Sequence, residues 1–225
     1  MRLDTAPEVD ASPAKRPRRT AITGQHVTIA PLDPAMHGQA LWEGTQGAEN
    51  DVLWAYLFAG PFTDRAEFDA YLIARAAAED SLTFAILDNA SGSAVGQAAL
   101  MRIEPVHRSI EVGNILYTPA LQRTHGATEA MYLMARHVFE ELGYRRYEWK
   151  CDALNEASRR AALRLGFTFE GVFRQHMIVK GRNRDTAWFS MLDCEWLVRK
   201  ARFERWLDPS NFDASGRQRS SLVVV

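Results

Sequence analysis

The segment from Ile115 to Ala130 has the composition of a strand that turns directly into a helix. It reads Ile-Leu-Tyr-Thr-Pro-Ala-Leu-Gln-Arg-Thr-His-Gly-Ala-Thr-Glu-Ala, an extended apolar stretch followed by a short polar turn. The first N–H groups of such a helix have no intrahelical partner, and the peptide dipoles add positive potential there. We therefore expect an anion site at this junction, suited to the phosphates of a nucleotide or coenzyme.

A second motif follows, in which Asn155-Glu156-Ala157-Ser158 leads into a run that ends in Leu165-Gly166-Phe167. In this order, the two motifs resemble those of the GCN5-related N-acetyltransferase (GNAT) superfamily. The Ala-Thr-Glu-Ala run at 127–130 is most similar to the branch that acetylates ribosomal-protein N-termini. The resemblance covers roughly residues 24–195 and implies an acetyl-CoA-dependent N-acetyltransferase.

The resemblance also implies which residues contact acetyl-CoA, the co-substrate. The pyrophosphate loop would comprise Gln122, Arg123, Thr124, His125, Gly126, Ala127 and Thr128. The pantetheine arm would lie between two splayed parallel strands, against Leu116 and Tyr117, with Asn155 or Ser158 hydrogen-bonded to the arm or to the leaving thiol. This chain departs from the family pattern at His125, where the first glycine is expected, and at Ala162, where many relatives have a tyrosine general acid.

The implied reaction is direct attack of a primary amine on the thioester, which calls for a base that deprotonates the ammonium. By its position on the strand that leads into the site, Glu111 is the candidate base, with a rim carboxylate as the alternative. Because the tyrosine is missing, Ser158 or water would protonate the leaving thiolate. Asn155 and Ser158 also have a plainer explanation, as residues that start a helix.

Aromatic residues between positions 42 and 62 are the candidates for the acceptor side of the site. Trp54, Tyr56 and Phe58 would bind the acceptor, although core packing explains such residues equally well. The acceptor would be a protein N-terminus or a small amine such as a polyamine, an amino acid or an antibiotic, and an acidic groove would favour a polyamine or an aminoglycoside. A non-catalytic module that binds acyl-CoA or a protein partner on the same fold is the alternative function.

The periodicity of the chain predicts the α/β (α+β) fold that the resemblance implies. That fold is a mostly antiparallel seven-stranded sheet with one splayed parallel pair, flanked by helices. The predicted strands are 26–32, 82–88, 94–103, 109–117, 147–152, 168–179 and 185–193, with a polar turn at Lys180 to Arg184. Asp64 is a predicted helix N-cap, and Gly143 is predicted to end the helix that follows the anion site.

The 225 residues are enough for one domain, predicted at 24–207, between a disordered basic, Pro-rich arm at 1–23 and a loose tail at 208–225. With a net charge of -1, the chain as a whole is not basic enough to attract nucleic acid or an anionic membrane. Two cysteines provide neither a disulfide framework nor metal-ligand spacing, so we expect no metal and a cytoplasmic protein.

The helix expected over Glu195 to Leu207 carries apolar residues that are too widely spread for one buried stripe. They are Trp196, Val198, Phe203 and Trp206. We therefore expect a homodimer whose interface uses this C-terminal region.

Overall fold

The computed structural model describes residues 8–222, which form eight strands and five α-helices. The strands are β1 (Ile22–Thr23), β2 (Val27–Pro31), β3 (Ser81–Asp88), β4 (Ala94–Glu104), β5 (Ser109–Tyr117), β6 (Arg146–Asp152), β7 (Thr168–Val179) and β8 (Arg182–Leu192). The helices are α1 (Pro34–Thr45), α2 (Arg65–Ala77), α3 (His125–Arg136), α4 (Glu156–Arg164) and α5 (Asp193–Leu207). A 3-10 helix at Ala48–Trp54 joins α1 to the loop before α2, and a π-helical turn at His137–Glu141 extends α3.

The helix boundaries follow from capping residues that are visible in the sequence. Asp64 accepts from the N–H groups of Ala66 and Glu67, which confirms it as the N-cap of α2. Gly143, at a φ of 77°, lies just beyond the π-helical turn, as expected for a residue that ends a helix in the left-handed region.

All neighbouring strands of the sheet are antiparallel except β5 and β6. The order is β1-β2-β3-β4-β5-β6-β8-β7, and β5 pairs in parallel with β6 because α3 carries the chain back across one face between them. The predicted class and the parallel pair are confirmed. The sheet has one more strand than predicted, since β1 lies inside the segment expected to be a disordered arm.

The parallel pairing of β5 and β6 stops before either strand ends. Its last partners are Val112 and Trp149, although β5 continues to Tyr117 and β6 to Asp152. Beyond that point β5 remains paired to β4 and β6 remains paired to β8. The irregular register opposite β4 includes Asn114, whose φ is 49°. The sheet therefore opens at the carboxyl ends of its two parallel strands.

Two apolar cores cover the sheet. The larger one is built from the sheet, α3, α5 and part of α4, and includes Tyr147, Phe189 and Phe203. The smaller one packs α1, α2 and the end of the 3-10 helix against the sheet around Trp54 and Phe68. Both strands that open are thus held in place by packed helices.

Some described residues on either side of the predicted domain contact the rest of the fold. Residues 1–7 of the predicted arm lie outside the described residues, but the N–H groups of Ala14 and Lys15 donate to Pro105 O (3.0 Å) and Leu142 O (2.9 Å). In the predicted tail, Asn211 and Leu222 are buried. Backbone and apolar contacts thus connect these residues to distant elements. The domain limits themselves remain a prediction.

Two expectations for the C-terminal region are corrected. The turn between β7 and β8 is limited to Lys180 and Gly181, so Arg184 belongs to β8 and is buried. Trp196, Phe203 and Trp206 on α5 are also buried, at 4%, 2% and 6% exposure, because α5 packs against α3. The apolar surface invoked for a homodimer is thus smaller than the sequence indicated.

No helix in the described range 8–222 is long and apolar enough to cross a membrane. Within the same range, no group of three or more His, Cys, Asp or Glu side chains is placed to hold a metal ion.

Candidate active site

A cleft of about 240 Å³ lies where β5 and β6 separate. Its walls come from the open ends of both strands, the start of α4, the β7–β8 hairpin and the loop around Tyr56. Ligands of sheets with parallel strands usually bind beyond the carboxyl ends of those strands. The same topology brings the N-termini of α3 and α4, which follow β5 and β6, to this edge of the sheet.

The start of α3 has the capped helix N-terminus on which the predicted anion site depends. Thr124 is the N-cap, and its Oγ1 accepts from the N–H of Ala127 at 3.2 Å. Arg123, just before the cap, has a φ of 62°, and Gln122 donates to the carbonyl of Tyr117 at 3.0 Å. This turn leaves the earliest N–H groups of α3 at the end of the helix dipole, where an anion is stabilised.

His125 and Gly126, where this chain departs from the family pattern, both lie in tightly packed surroundings. A Cβ on Gly126 would lie 2.7 Å from Cγ1 of Val27, so the glycine allows α3 to approach β2 closely. The ring of His125 packs 3.9 Å from that of Phe212, between centroids, and burial lowers the pKa of the imidazole. This geometry favours a packing role for His125 over a phosphate contact.

Arg164, from the end of α4, reaches the first turn of α3. Its Nη1 donates to Oγ1 of Thr128 at 3.1 Å, and its guanidinium lies 4.8 Å from the centre of the Trp206 ring. Among residues 8–222 no carboxylate pairs with it, and burial lowers its pKa. A cation therefore stands beside the anion site without a protein counter-ion.

Asn155 and Ser158 form the start of α4, as predicted, and both line the cleft. Asn155 Oδ1 accepts from the N–H of Ser158 at 3.0 Å. The indole N–H of Trp149 donates to Ser158 Oγ at 2.9 Å, which leaves the hydroxyl proton of Ser158 for another acceptor. Burial raises the pKa of the nearby Cys151 thiol, which also lines the cleft.

Glu111 lies in the cleft wall but not on its rim, since only 4% of the residue is exposed. Its Oε2 is 2.8 Å from both Nε of Arg102 and Nζ of Lys150, two charge contacts without hydrogen-bond geometry. Lys150 also contacts Oε2 of Glu148 at 2.6 Å. Glu111 thus belongs to a buried network of alternating charges.

Leu116 and Tyr117 lie on the open end of β5, but their side chains do not line the cleft. Leu116 is buried in the smaller core. The hydroxyl of Tyr117 donates to the carbonyl of Ala127 at 3.1 Å, and burial raises its pKa. Only the backbone of this stretch is left to meet a ligand.

The three aromatic residues predicted on the acceptor side separate into two groups. Tyr56 and Phe58 line the cleft, and the Tyr56 hydroxyl donates to the carbonyl of Leu154 at 3.2 Å. Trp54 is 1% exposed and packs edge-on against Phe62. Trp54 is therefore a core residue, which corrects its assignment to the acceptor side.

Sequence reasoning missed the basic residues of this region. Arg102, Lys150 and Arg184 line the cleft, and Arg164 adjoins the anion site. Each lies in a strand or helix with an ordinary polar pattern, and no motif marks any of them. Only the alternation of inward and outward side chains along β4, β6 and β8 could have indicated that they face the site.

Comparison with known proteins agrees with this architecture. The profile of the acetyltransferase (GNAT) domain matches residues 27–168. The crystal structure of a GCN5-related N-acetyltransferase from Brucella melitensis is 46% identical, with a TM-score of 0.93 over 95% of this chain and 96% of that one. A GNAT-family protein from Chromobacterium violaceum is 42% identical, with a TM-score of 0.80 over 86% and 97% of the two chains.

A relative from Bacillus subtilis, YdaF, carries the name of a candidate ribosomal N-acetyltransferase. It is 30% identical over 47% of this chain, and the match spans 57% of YdaF's own length. The resemblance to the ribosomal-protein branch is thus supported by sequence as well as by motif. The domain profile and the match to the Brucella protein both extend over most of the chain, and the chain therefore belongs to the GNAT acetyltransferase family.

Proposed function

We propose that this protein is an acetyl-CoA-dependent N-acetyltransferase that transfers the acetyl group to a primary amine by direct attack. The observation that supports the proposal best is the parallel pair β5–β6, which stops at Val112 and Trp149 and opens onto a cleft lined by the start of α4. An extended amide-bearing arm can replace the missing strand pairing, because it offers N–H and C=O groups at strand-like spacing.

The residues present fit such a coenzyme. The start of α3 offers helix N–H groups and dipole to the pyrophosphate, and Arg164 adds a cation that no carboxylate among residues 8–222 neutralises. Gly113 on the open strand has no room for a side chain, since a Cβ there would lie 2.6 Å from Sδ of Met101. When bound, the coenzyme supplies the activated acetyl group as a thioester.

Glu111 and Ser158 remain the proposed proton-transfer residues. Glu111 would accept a proton from the acceptor ammonium, directly or through water, while Arg102 and Lys150 hold its carboxylate in position. Ser158 would donate its hydroxyl proton to the leaving sulfur, because its oxygen already accepts from Trp149. A thiol with a pKa near 8.5 needs only modest assistance to leave.

The charges of the cleft bear on the acceptor. Its lining has three cationic side chains, Arg102, Lys150 and Arg184, against the two carboxylates Glu111 and Asp152. This is not the acidic groove that would favour a polyamine or an aminoglycoside. We therefore propose that the acceptor is a small amine of low positive charge or a protein N-terminus, the second class being suggested by the name of YdaF.

The free cysteines Cys151 and Cys194 fit a reducing compartment, and we propose that the protein is located in the cytoplasm.

A coupled assay tests the proposal. Acetyl-CoA binding is measured by calorimetry, and release of free CoA is measured with a panel of amino acids, amino-acid amides, polyamines and short peptides. We expect micromolar binding and CoA release that depends on the amine. Tight binding with no turnover on any amine would instead identify a non-catalytic acyl-CoA-binding module, the alternative that the absence of the family tyrosine at Ala162 suggests.

A further inference from the structure

Arg184 is a buried arginine in the wall of the cleft without a hydrogen-bonded partner. It lies on β8, only 7% of the residue is exposed, and its Nε is buried and unpaired. Within residues 8–222, its one defined contact is with the ring of Phe58, whose centre lies 5.2 Å from the guanidinium carbon. A charged group buried in this way is costly unless something pairs with it.

The carboxylates near Arg184 do not supply that pairing. Glu111 is already held by Arg102 and Lys150, and Asp152 accepts from the N–H of Leu154. The two carboxylates act on Arg184 only through their electrostatic field, which raises the pKa of its guanidinium. Burial has the larger effect and lowers that pKa. Arg184 thus lines the cleft with no carboxylate at ion-pair distance among the described residues.

The coenzyme does not account for this cation. Its negative charges are its phosphates, which the proposed function assigns to the start of α3 and Arg164, while the pantetheine arm and thioester are neutral. An anion beside Arg184 must therefore come from the acceptor. The planar fork of a guanidinium matches the two oxygens of a carboxylate, and a cleft of about 240 Å³ suits a small molecule or the end of a peptide.

We propose that Arg184 binds a carboxylate of the acceptor, so that the substrates are amines that also carry a nearby carboxylate. This inference rests on the proposed function and narrows it. Two sources share this chemistry: a free amino acid, and a peptide N-terminus with an acidic side chain at its first or second position. The guanidinium carbon also lies 5.2 Å from the centre of the Phe58 ring, a cation–π contact on one side of the arginine.

Matched acceptor pairs test the proposal. Each amino acid is compared with its amide, and each acidic peptide N-terminus with its Asn or Gln counterpart, by CoA release. For at least one pair we expect the carboxylate form to have a kcat/KM at least about tenfold higher, as for a charge-assisted hydrogen bond. The pair that shows the preference identifies the source of the carboxylate.

Variants then test whether Arg184 causes the preference for the carboxylate form. In Arg184→Gln the ratio between the two members of the pair should fall to about one, and Arg184→Lys should retain part of it because charge remains without the fork. Arg182→Gln, an exposed change two residues away on β8, is the matched control and should keep the ratio. Cooperative thermal unfolding confirms that each variant folds. Equal rates within every wild-type pair, or a preference that survives in Arg184→Gln, would overturn the proposal.

A binding measurement separates this proposal from the proposed function. The N-acetylated amino acid and its N-acetylated amide are titrated by calorimetry into wild type and Arg184→Gln. Tighter binding of the acid that requires Arg184 supports the carboxylate site even if no amine is turned over, in which case only the catalytic function fails. Turnover with no preference for the acid in either measurement overturns the carboxylate site and leaves the function intact.

Discussion

Lys150 occupies the centre of the charged network behind the cleft. Its Nζ lies 2.8 Å from Glu111, 2.6 Å from Glu148 and 3.8 Å from the centre of the Trp188 ring. With 5% of its side chain exposed, the ammonium depends on these partners, because a buried ion pair loses several kcal/mol when one member is removed. The network therefore fixes the position of Glu111 and also complicates any test of its role.

The two carboxylates on Lys150 offer a matched comparison. If Glu111 is the base, Glu111→Gln lowers kcat by about 10²- to 10⁴-fold with little change in acetyl-CoA affinity. Glu148→Gln removes a carboxylate from the same ammonium but does not border the cleft, and it should change kcat only a few-fold. Steady-state kinetics over a range of pH make the comparison. Equal losses of kcat in both variants would show that Glu111 keeps the charged network in place and is not the base.

Ser158→Ala tests the proposed proton donor. We expect kcat to fall by about tenfold, less than is usual for loss of a proton-transfer residue because a thiolate leaves readily. Ser158→Thr, which keeps a hydroxyl at the same position, should recover most of that loss. Single-turnover measurements with saturating acetyl-CoA provide the rates. If alanine matches wild type, water protonates the sulfur, and Ser158 only completes the hydrogen bond from Trp149.

Arg164→Gln tests the cation beside the anion site. Loss of one charge-assisted contact to a phosphate should weaken acetyl-CoA binding by about tenfold. Arg160→Gln is the control, since the Arg160 side chain is on the same helix and 73% exposed. Calorimetry at two salt concentrations is suitable, because the wild-type affinity should fall more steeply with salt than that of Arg164→Gln. Equal affinities in the two variants would contradict a role in coenzyme binding.

At the scale of elements, α3 is tied to the start of the sheet by a buried carboxylate. Glu129 accepts from the N–H groups of Gln25, His26 and Val27 at 2.8, 2.7 and 2.9 Å. These three residues lead into β2, so one side chain on α3 accepts hydrogen bonds from three consecutive N–H groups of that segment. The helix that carries the predicted anion site is thereby anchored at its first turns, both here and through the close approach of Gly126 to Val27.

Replacing Glu129 should weaken this connection. Glu129→Gln substitutes an amide nitrogen for one accepting oxygen, which leaves a buried donor unsatisfied, and we expect it to destabilise the protein by about 2 kcal/mol. For a chain of this size, that corresponds to a fall in Tm of about 4–8 °C. Scanning calorimetry measures the change. Glu156→Gln on the exposed start of α4 is the comparison and should shift Tm by less than about 2 °C.

At the scale of the whole molecule, the outer face of α5 is what remains of the surface predicted for a dimer. Leu197 is 76% exposed and Val198 is 57% exposed, whereas the aromatic residues of this helix face α3. Isolated exposed apolar residues are common, and adjacent ones on a helix form only a small patch. The homodimer thus stays a prediction with a narrower candidate interface.

Light scattering at micromolar concentration tests the homodimer. We expect a mass near twice that of the 25.4 kDa chain, and Val198→Asp should shift the protein toward the monomer. Glu204→Gln, at a half-exposed position of the same helix where Tyr132 donates to the carboxylate, is the control that should leave the mass unchanged. A monomer at every concentration would remove the prediction, and α5 would then serve only to cover α3.

The sequence by itself determined the parts of this protein that depend on local order. The strand-turn-helix at 115–130, the Asn155 helix and the intervening crossover are contiguous, so they predict the parallel pair and the helix N-termini beside it. Capping by Asp64 and the ending at Gly143 also depend only on neighbours in the chain. These features were enough to predict the fold class and the family.

Tertiary structure alone decided which side chains face the site and which partners they have. Arg184 lies far along the chain from the loop of Phe58, Arg164 meets Thr128 from another helix, and Trp54 turns into a core that α1 and α2 complete. The alternation of residues along a strand indicates which side chains share a face, but not which side chains from other elements meet them there. Such long-range pairing is why the unpaired arginine of the cleft became visible only in the folded chain.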